Sequence, residues 1–154
     1  MLRVERTFDQ SVVDSIFHHK DIERFVCDDF TLDAAYKMID CIYYLAAFDE
    51  DEVVGMFMVH PLSEIIMDSH VAIMPWVAKE KNRAMGKSAI NWVFDNTSCL
   101  KLNASVPVYN ELVLDYAKDI GFLQEGINKQ SIMRYGKLHD QIYLGIERLK
   151  WGQQ

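Results

Sequence analysis

Residues 70 to 94, HVAIMPWVAKEKNRAMGKSAINWVF, constrain the chain more than any other stretch, because they read as a strand, a basic connection with a glycine, and a helix. A strand that stops at Pro75 and hands over to a helix sets free N–H groups and the positive end of a helix dipole beside the connecting loop. That is an arrangement suited to a pyrophosphate. Arg83, Gly86 and Ser88 are its expected key residues, with Lys87 adding charge: glycine permits close backbone approach and serine leaves room beside the anion. GKS at 86 to 88 also matches the tail of a P-loop, but that motif needs a glycine five positions earlier, where Lys81 stands.

At 154 residues the chain suits one domain, 1–154, and no repeat or Pro/Gly-rich linker divides it. Its net charge of -7 argues against nucleic acid as the main partner and is easier to reconcile with a cationic acceptor such as an amine. Three widely spaced cysteines, Cys27, Cys41 and Cys99, read as reduced core residues. No signal-like or membrane-spanning apolar run is present, so a cytoplasmic protein without a membrane partner is expected.

In chain order, Leu2 to Thr7 alternates as a strand, and Asp9 is placed to cap a helix that carries Val12, Val13, Ile16 and Phe17 on one face. Adjacent His18 and His19 cannot share a helix face, and no metal site is expected. Short helices are expected over Asp21 to Val26 and Asp33 to Ile39. Strands Ile42 to Phe48 and Val53 to His60 read as an antiparallel hairpin about the acidic run 49 to 52, with Gly55 marking a bulge or close approach. Ser63 to Met74 reads as a third central strand with Glu64, Asp68 and His70 on one face. Three ionisable groups there imply a cleft rather than a covered sheet. The helix after it is expected from about Arg83 to Asp95, followed by a strand ending at Pro107. A helix led by Asn110 and ended by Gly121 comes next, then two closing strands, 123 to 134 and 141 to 149, about a Tyr-Gly-Lys-Leu turn. The tail's Trp151 offers an aromatic for pairing with a second copy, as in a homodimer.

Arg83-Ala-Met-Gly86-Lys-Ser88 resembles the R/Q-x-x-G-x-G/A signature of the GNAT (GCN5-related N-acetyltransferase) family, and the order of elements is similar. NELVLDYAKDIGF at 110 to 122 resembles the family's second motif. The segment from Gly121 and Phe122 through Glu125, Gly126, Lys129, Gly136 and Asp140 is similar to the ribosomal-protein N-acetyltransferase branch. The resemblance implies an α+β (α/β three-layer) GNAT fold, with a mixed central sheet of about seven strands flanked by helices on both faces. It implies an acetyl-CoA-dependent N-acetyltransferase whose acceptor is a primary amine of a protein or a small molecule. Two parallel strands would splay near Pro75 and Val106, the pantetheine arm lying between them. Pro75, Trp76, Val77, Arg83, Ala84, Met85, Gly86, Lys87, Ser88 and Asn110 would contact the coenzyme, with the pyrophosphate on backbone N–H groups from about Arg83 to Ser88.

Acetyl transfer needs a proton acceptor for the amine, and Glu64, with Asp68 and His70 as rivals, occupies the implied cleft face. The acid is less well matched. Ala117 stands where many members carry tyrosine and Val113 where the ribosomal branch often has serine. Tyr116 is one position, about 100° of helix, from the usual place. It is the nearest candidate and also reads as core, leaving Tyr109, Ser105 or no side chain at all. Arg83 lies eight positions after Pro75, where the family usually needs about three. Two readings besides the enzyme follow: a catalytically weak acyl-CoA-binding module acting through a protein partner, and a P-loop nucleotide binder.

Overall fold

A computed structural model describes residues 1–152. Seven strands form one sheet in the order β1-β2-β3-β4-β5-β7-β6: β1 (Leu2–Arg6), β2 (Tyr43–Asp49), β3 (Glu52–Pro61), β4 (Ile66–Ile73), β5 (Lys101–Pro107), β6 (Leu123–Arg134) and β7 (Lys137–Glu147). All neighbours are antiparallel except β4 and β5. That exception follows from connectivity, since a helix crosses between these two strands and returns the chain in the same direction. The helices are α1 (Gln10–Phe17), α2 (Lys20–Val26), α3 (Lys79–Asn96) and α4 (Glu111–Ile120). None of the described helices is long and apolar enough to cross a membrane.

Strand alternation divides the apolar residues between two faces. On one, Leu45, Phe57, Val59, Met67 and Leu102 pack against Met85, Ala89, Ile90 and Val93 of α3 and Ala117 and Ile120 of α4. On the other, Tyr44, Ala46, Met56 and Ala72 pack against Val13, Ile16 and Phe17 of α1 and Ile22 of α2. The expected layered sheet is therefore present, with helices on both faces.

Several local expectations hold for their stated reasons. Asp9 caps α1, its Oδ1 accepting from Ser11 N at 2.9 Å. Gly121 ends α4 with φ +118°, in the left-handed region that a side chain disfavours. The register of β2 on β3 shifts beside Gly55, where an added Cβ would lie 3.2 Å from Ala72 O. The closing hairpin turns at Tyr135 and Gly136, both with positive φ.

Others are corrected. Residues 34 to 39 form no helix. Tyr36 there lies on Phe17 with ring centroids 4.3 Å apart, so tertiary stacking overrides the helical spacing. Cys41 is exposed rather than core. Trp151 is half-buried on its own chain, donating from Nε1 to Asn91 Oδ1 at 2.7 Å and packing near Phe94, so it is not a free aromatic. Asn110 takes the cap position of α4 but makes no cap bond, and its Nδ2 points to Phe25 O at 3.5 Å.

Candidate active site

Hydrogen-bonded register between β4 and β5 runs from Ile66↔Lys101 to Ser69↔Ala104 and stops there, although β4 continues to Ile73 and β5 to Pro107. Ser69 Oγ fastens the last pair by donating to Asn103 O at 2.8 Å. Beyond it the two parallel strands part, leaving backbone groups on facing edges that no strand pairs. This is the expected splay.

On the α3/α4 side of the opening lies an apolar cavity of about 50 Å³, bordered by Val71, Ala104, Gly86, Val113, Tyr116 and Ala117. The expected phosphate loop needs revision here. Helix α3 begins at Lys79, four residues before Arg83, so the N–H groups of Arg83 through Ser88 lie inside the helical ladder and are not free for an anion. The chain from Pro75 to the helix is short, and the surplus length in the sequence is one extra helical turn. Ala78 occupies the cap position with no side-chain cap bond, so the orphan donors of α3 are those of Lys79, Glu80 and Lys81.

The expected coenzyme residues divide accordingly. Pro75 and Trp76 form an exposed turn after β4, and Val77 N donates to Met74 O at 3.1 Å. Met85 and Gly86 are buried, while Ala84, Lys87 and Ser88 are exposed along α3. Gly86 serves close helix packing: an added Cβ would overlap the Tyr116 hydroxyl and sit 2.9 Å from two Ile120 carbons. Arg83 Nη2 and Lys79 Nζ meet Asp119 Oδ2 of α4 at 3.1 and 3.3 Å, and these bonds hold the Asp119 carboxyl below its ordinary pKa. Tyr116 donates its hydroxyl to Asn82 O at 3.0 Å, and burial pushes its pKa up.

On the α1/α2 side, β3 and β4 bring together residues far apart in sequence. His60 faces Asp68 across the antiparallel register, and His70 lies two residues further along the same face. His60 Nε2 is 3.2 Å from His70 Nε2, Asp68 Oδ2 is 3.2 Å from His70 Nε2 and 3.6 Å from His60 Nε2, and the imidazoles stack at 15°. Asp68 is mostly covered and the histidines are more open. His70 is the first residue of β4 past the last pair with β5, so the cluster borders the splay on the α1/α2 face while His70 also lines the cavity reached through it.

Glu64 does not belong to this group. It is exposed in the turn before β4, where Leu62 N and Ser63 N both reach Ile66 O, and the strand whose alternation was to place it starts two residues later. Sequence reasoning passed over His60, because its role depends on the β3–β4 register, which the even-numbered alternation His60, Asp68, His70 across one hairpin could have signalled. Among the acid candidates, Tyr109 is held edge-on against His139 and beneath Arg134. Ser105 follows Asn103 on the face of β5 opposite Leu102 and Ala104, the side on which Asp68 and His70 lie.

Of the C-terminal motif residues, Lys129 pairs with Asp140 at 3.1 Å, Glu125 pairs with Lys101 of β5 at 2.8 Å, and Gly136 makes the hairpin turn.

No family model and no curated protein matches the sequence. Solved structures do resemble it. A variant of the spermidine N-acetyltransferase SpeG from Vibrio cholerae superposes with a TM-score of 0.79 at 14% identity, covering 97% of this chain and 95% of that one. An acetyltransferase of the GNAT family from Streptococcus pneumoniae gives 0.73 at 16%, covering 96% and 99%. A structure named "Probable acetyltransferase" gives 0.62 at 21%, covering 70% of this chain and 63% of its own. With a seven-stranded sheet parted between its two parallel strands, the chain has the fold of the GNAT acetyltransferases.

Proposed function

We propose that the protein is an acetyl-CoA-dependent N-acetyltransferase that transfers an acetyl group to a primary amine of a protein or small molecule. One observation carries this reading: the gap between β4 and β5 opens to an apolar cavity on one face and to a histidine–carboxylate cluster on the other. A thioester and an amine entering from opposite faces meet at such a gap. The fold likeness to N-acetyltransferases is a second support.

The chain fits the coenzyme in three respects. Unpaired backbone groups of residues 70 to 73 and 105 to 107 suit the amides of a pantetheine arm, as an added strand would. The cavity is apolar, as an acyl group requires. The free N–H groups of Lys79, Glu80 and Lys81, with the turn Pro75–Val77 leading into them, suit the pyrophosphate. Bound acetyl-CoA supplies the activated acyl group. His70 takes the proton of the attacking amine, directly or through a water, and Asp68 orients it and balances the imidazolium charge. Ser105, on the histidine face at the same opening, is the side chain assigned to return a proton to the departing thiolate across the gap, because the Tyr116 hydroxyl, although it borders the cavity, already donates to Asn82 O.

That commitment also favours a second reading, an acyl-CoA-binding module with little turnover. Calorimetric titration with acetyl-CoA, with ATP as control, followed by thiol release over a panel of amines, separates them. The enzyme reading expects acetyl-CoA binding, no ATP binding, and amine-dependent thiol release. Binding without release from any amine moves the protein to the module, and absence of binding removes both.

A further inference from the structure

We propose that His60, Asp68 and His70 form a binding site for one divalent transition-metal ion, with zinc the best fit. Three lone-pair-bearing atoms, His60 Nε2, Asp68 Oδ2 and His70 Nε2, lie 3.2, 3.2 and 3.6 Å apart. Each contact is attractive only where a proton or a cation lies between the two atoms, and a single divalent ion satisfies all three at once. Zinc binds imidazole nitrogen and carboxylate oxygen at about 2.0–2.2 Å, so two ligands of a tetrahedral ion lie about 3.3–3.5 Å apart. The observed edges bracket that value and exceed the roughly 2.9 Å expected for adjacent ligands of an octahedral ion of the same bond length. Two imidazoles with one carboxylate are a donor set suited to zinc and too rich in nitrogen for calcium or magnesium.

The backbone fixes this geometry. His60 and Asp68 are direct register partners of β3 and β4, and His70 is two residues along the same face. Ligands on adjacent paired strands keep their spacing without help from a loop. Asn103 stands beside Asp68 in the parallel register, and its Oδ1 is buried without a hydrogen-bond partner, so the neighbourhood has a neutral oxygen to spare. Exposure of the histidines leaves a fourth position open to water or another ligand, as in sites with three protein ligands.

Metal binding rests on the triad alone. A consequence rests in addition on the acetyltransferase reading: an ion held by His70 Nε2 and Asp68 Oδ2 takes away the carboxylate that balances the imidazolium charge and sets a positive charge on the ring, so bound zinc slows turnover.

The test uses the full chain without a histidine tag, stripped with chelator and titrated with zinc by calorimetry. Cobalt(II) serves as the spectroscopic probe. The expected result is one ion per chain and the intense visible bands of tetrahedral cobalt without a thiolate charge-transfer band. Asp68→Asn and His60→Ala each weaken binding by about tenfold or more, beyond the smallest losses seen when only an outer partner is removed. Cys41→Ser and His18→Ala leave it unchanged. Failure of the unmodified chain to bind zinc or to give tetrahedral cobalt bands overturns the proposal, as does undiminished affinity in folded Asp68→Asn or loss of binding in Cys41→Ser. Zinc binding without inhibition leaves the metal site standing and removes His70 as the proton acceptor.

Discussion

His70 is the first residue past the last hydrogen-bonded pair of β4 and β5, which makes it the side chain on which two readings of the site converge. As proton acceptor it needs a lone pair and a partner carboxylate, and Asp68 supplies the second at 3.2 Å. His70→Gln keeps a polar side chain of similar reach but cannot take a proton at working pH. In metal-free protein its turnover is expected to fall by about 10²–10⁴, the span of general-base contributions, with acetyl-CoA affinity unchanged. Glu64→Gln, in an exposed turn outside β4, is expected to leave turnover within about twofold. Steady-state rates and calorimetry on both variants check this. A Glu64 variant slower than the His70 variant would return the base to the turn. At this scale the sequence located Asp68 and His70 because alternation along one strand is local information. It misplaced Glu64 because the strand's first residue is set by the Ser63 turn, and it passed over His60 because that residue's neighbours come from another strand.

Between helices, Gly86 and Tyr116 set how closely α3 and α4 approach. Gly86→Ala improves helix propensity by about 1 kcal/mol, yet its methyl overlaps the Tyr116 hydroxyl and crowds Ile120 at 2.9 Å. Overpacking of this kind costs about 1–3 kcal/mol, so net destabilisation is expected. Tyr116→Phe alone loses the bond to Asn82 O, worth about 1 kcal/mol, and opens the space the methyl needs. The double variant is therefore expected to be more stable than the two single costs predict, by about 0.5–3 kcal/mol, in a urea-denaturation cycle of the four proteins. Strict additivity would remove the contact as the reason for glycine at 86. The same pair explains what the signature match could and could not reveal. Arg83-x-x-Gly86-x-Ser88 is real as a pattern, but α3 carries an extra turn at its start, so the match falls within the helix and only the strand–loop–helix order locates the free N–H groups. Gly86→Val is accordingly a test of packing rather than of phosphate contact. Elements with a local cause, such as the Asp9 cap, the Gly121 terminus and the Tyr135–Gly136 turn, were legible, whereas residues 34 to 39 follow the stacking of Tyr36 on Phe17.

Across the whole molecule, two apolar clusters lie on opposite faces of one sheet, and the parting of β4 from β5 is the place where a molecule on one face can reach the other. On the proposed reading, the two partners of an acyl transfer then bind independently, each on its own helical layer. Coenzyme on the α3/α4 side is expected to slow amide exchange in residues 74 to 83 and 104 to 117, which frame the splay and the start of α3. Exchange in α1, α2 and residues 27 to 42 should remain as in the free protein. The stretch 27 to 42 is held by few backbone bonds, such as Asp29 N to Met133 O and Ala34 N to Thr31 O, so it opens easily and reports sensitively on any ligand that touches it. At coenzyme a hundredfold above its Kd, amides that exchange only when the site is broken gain about 2.7 kcal/mol of protection. Amides that exchange through openings on the far face gain none, because the coenzyme stays bound while they open. Protection concentrated in α1 and α2 would put the coenzyme on the histidine face, and the cluster there would have to serve the coenzyme rather than the amine.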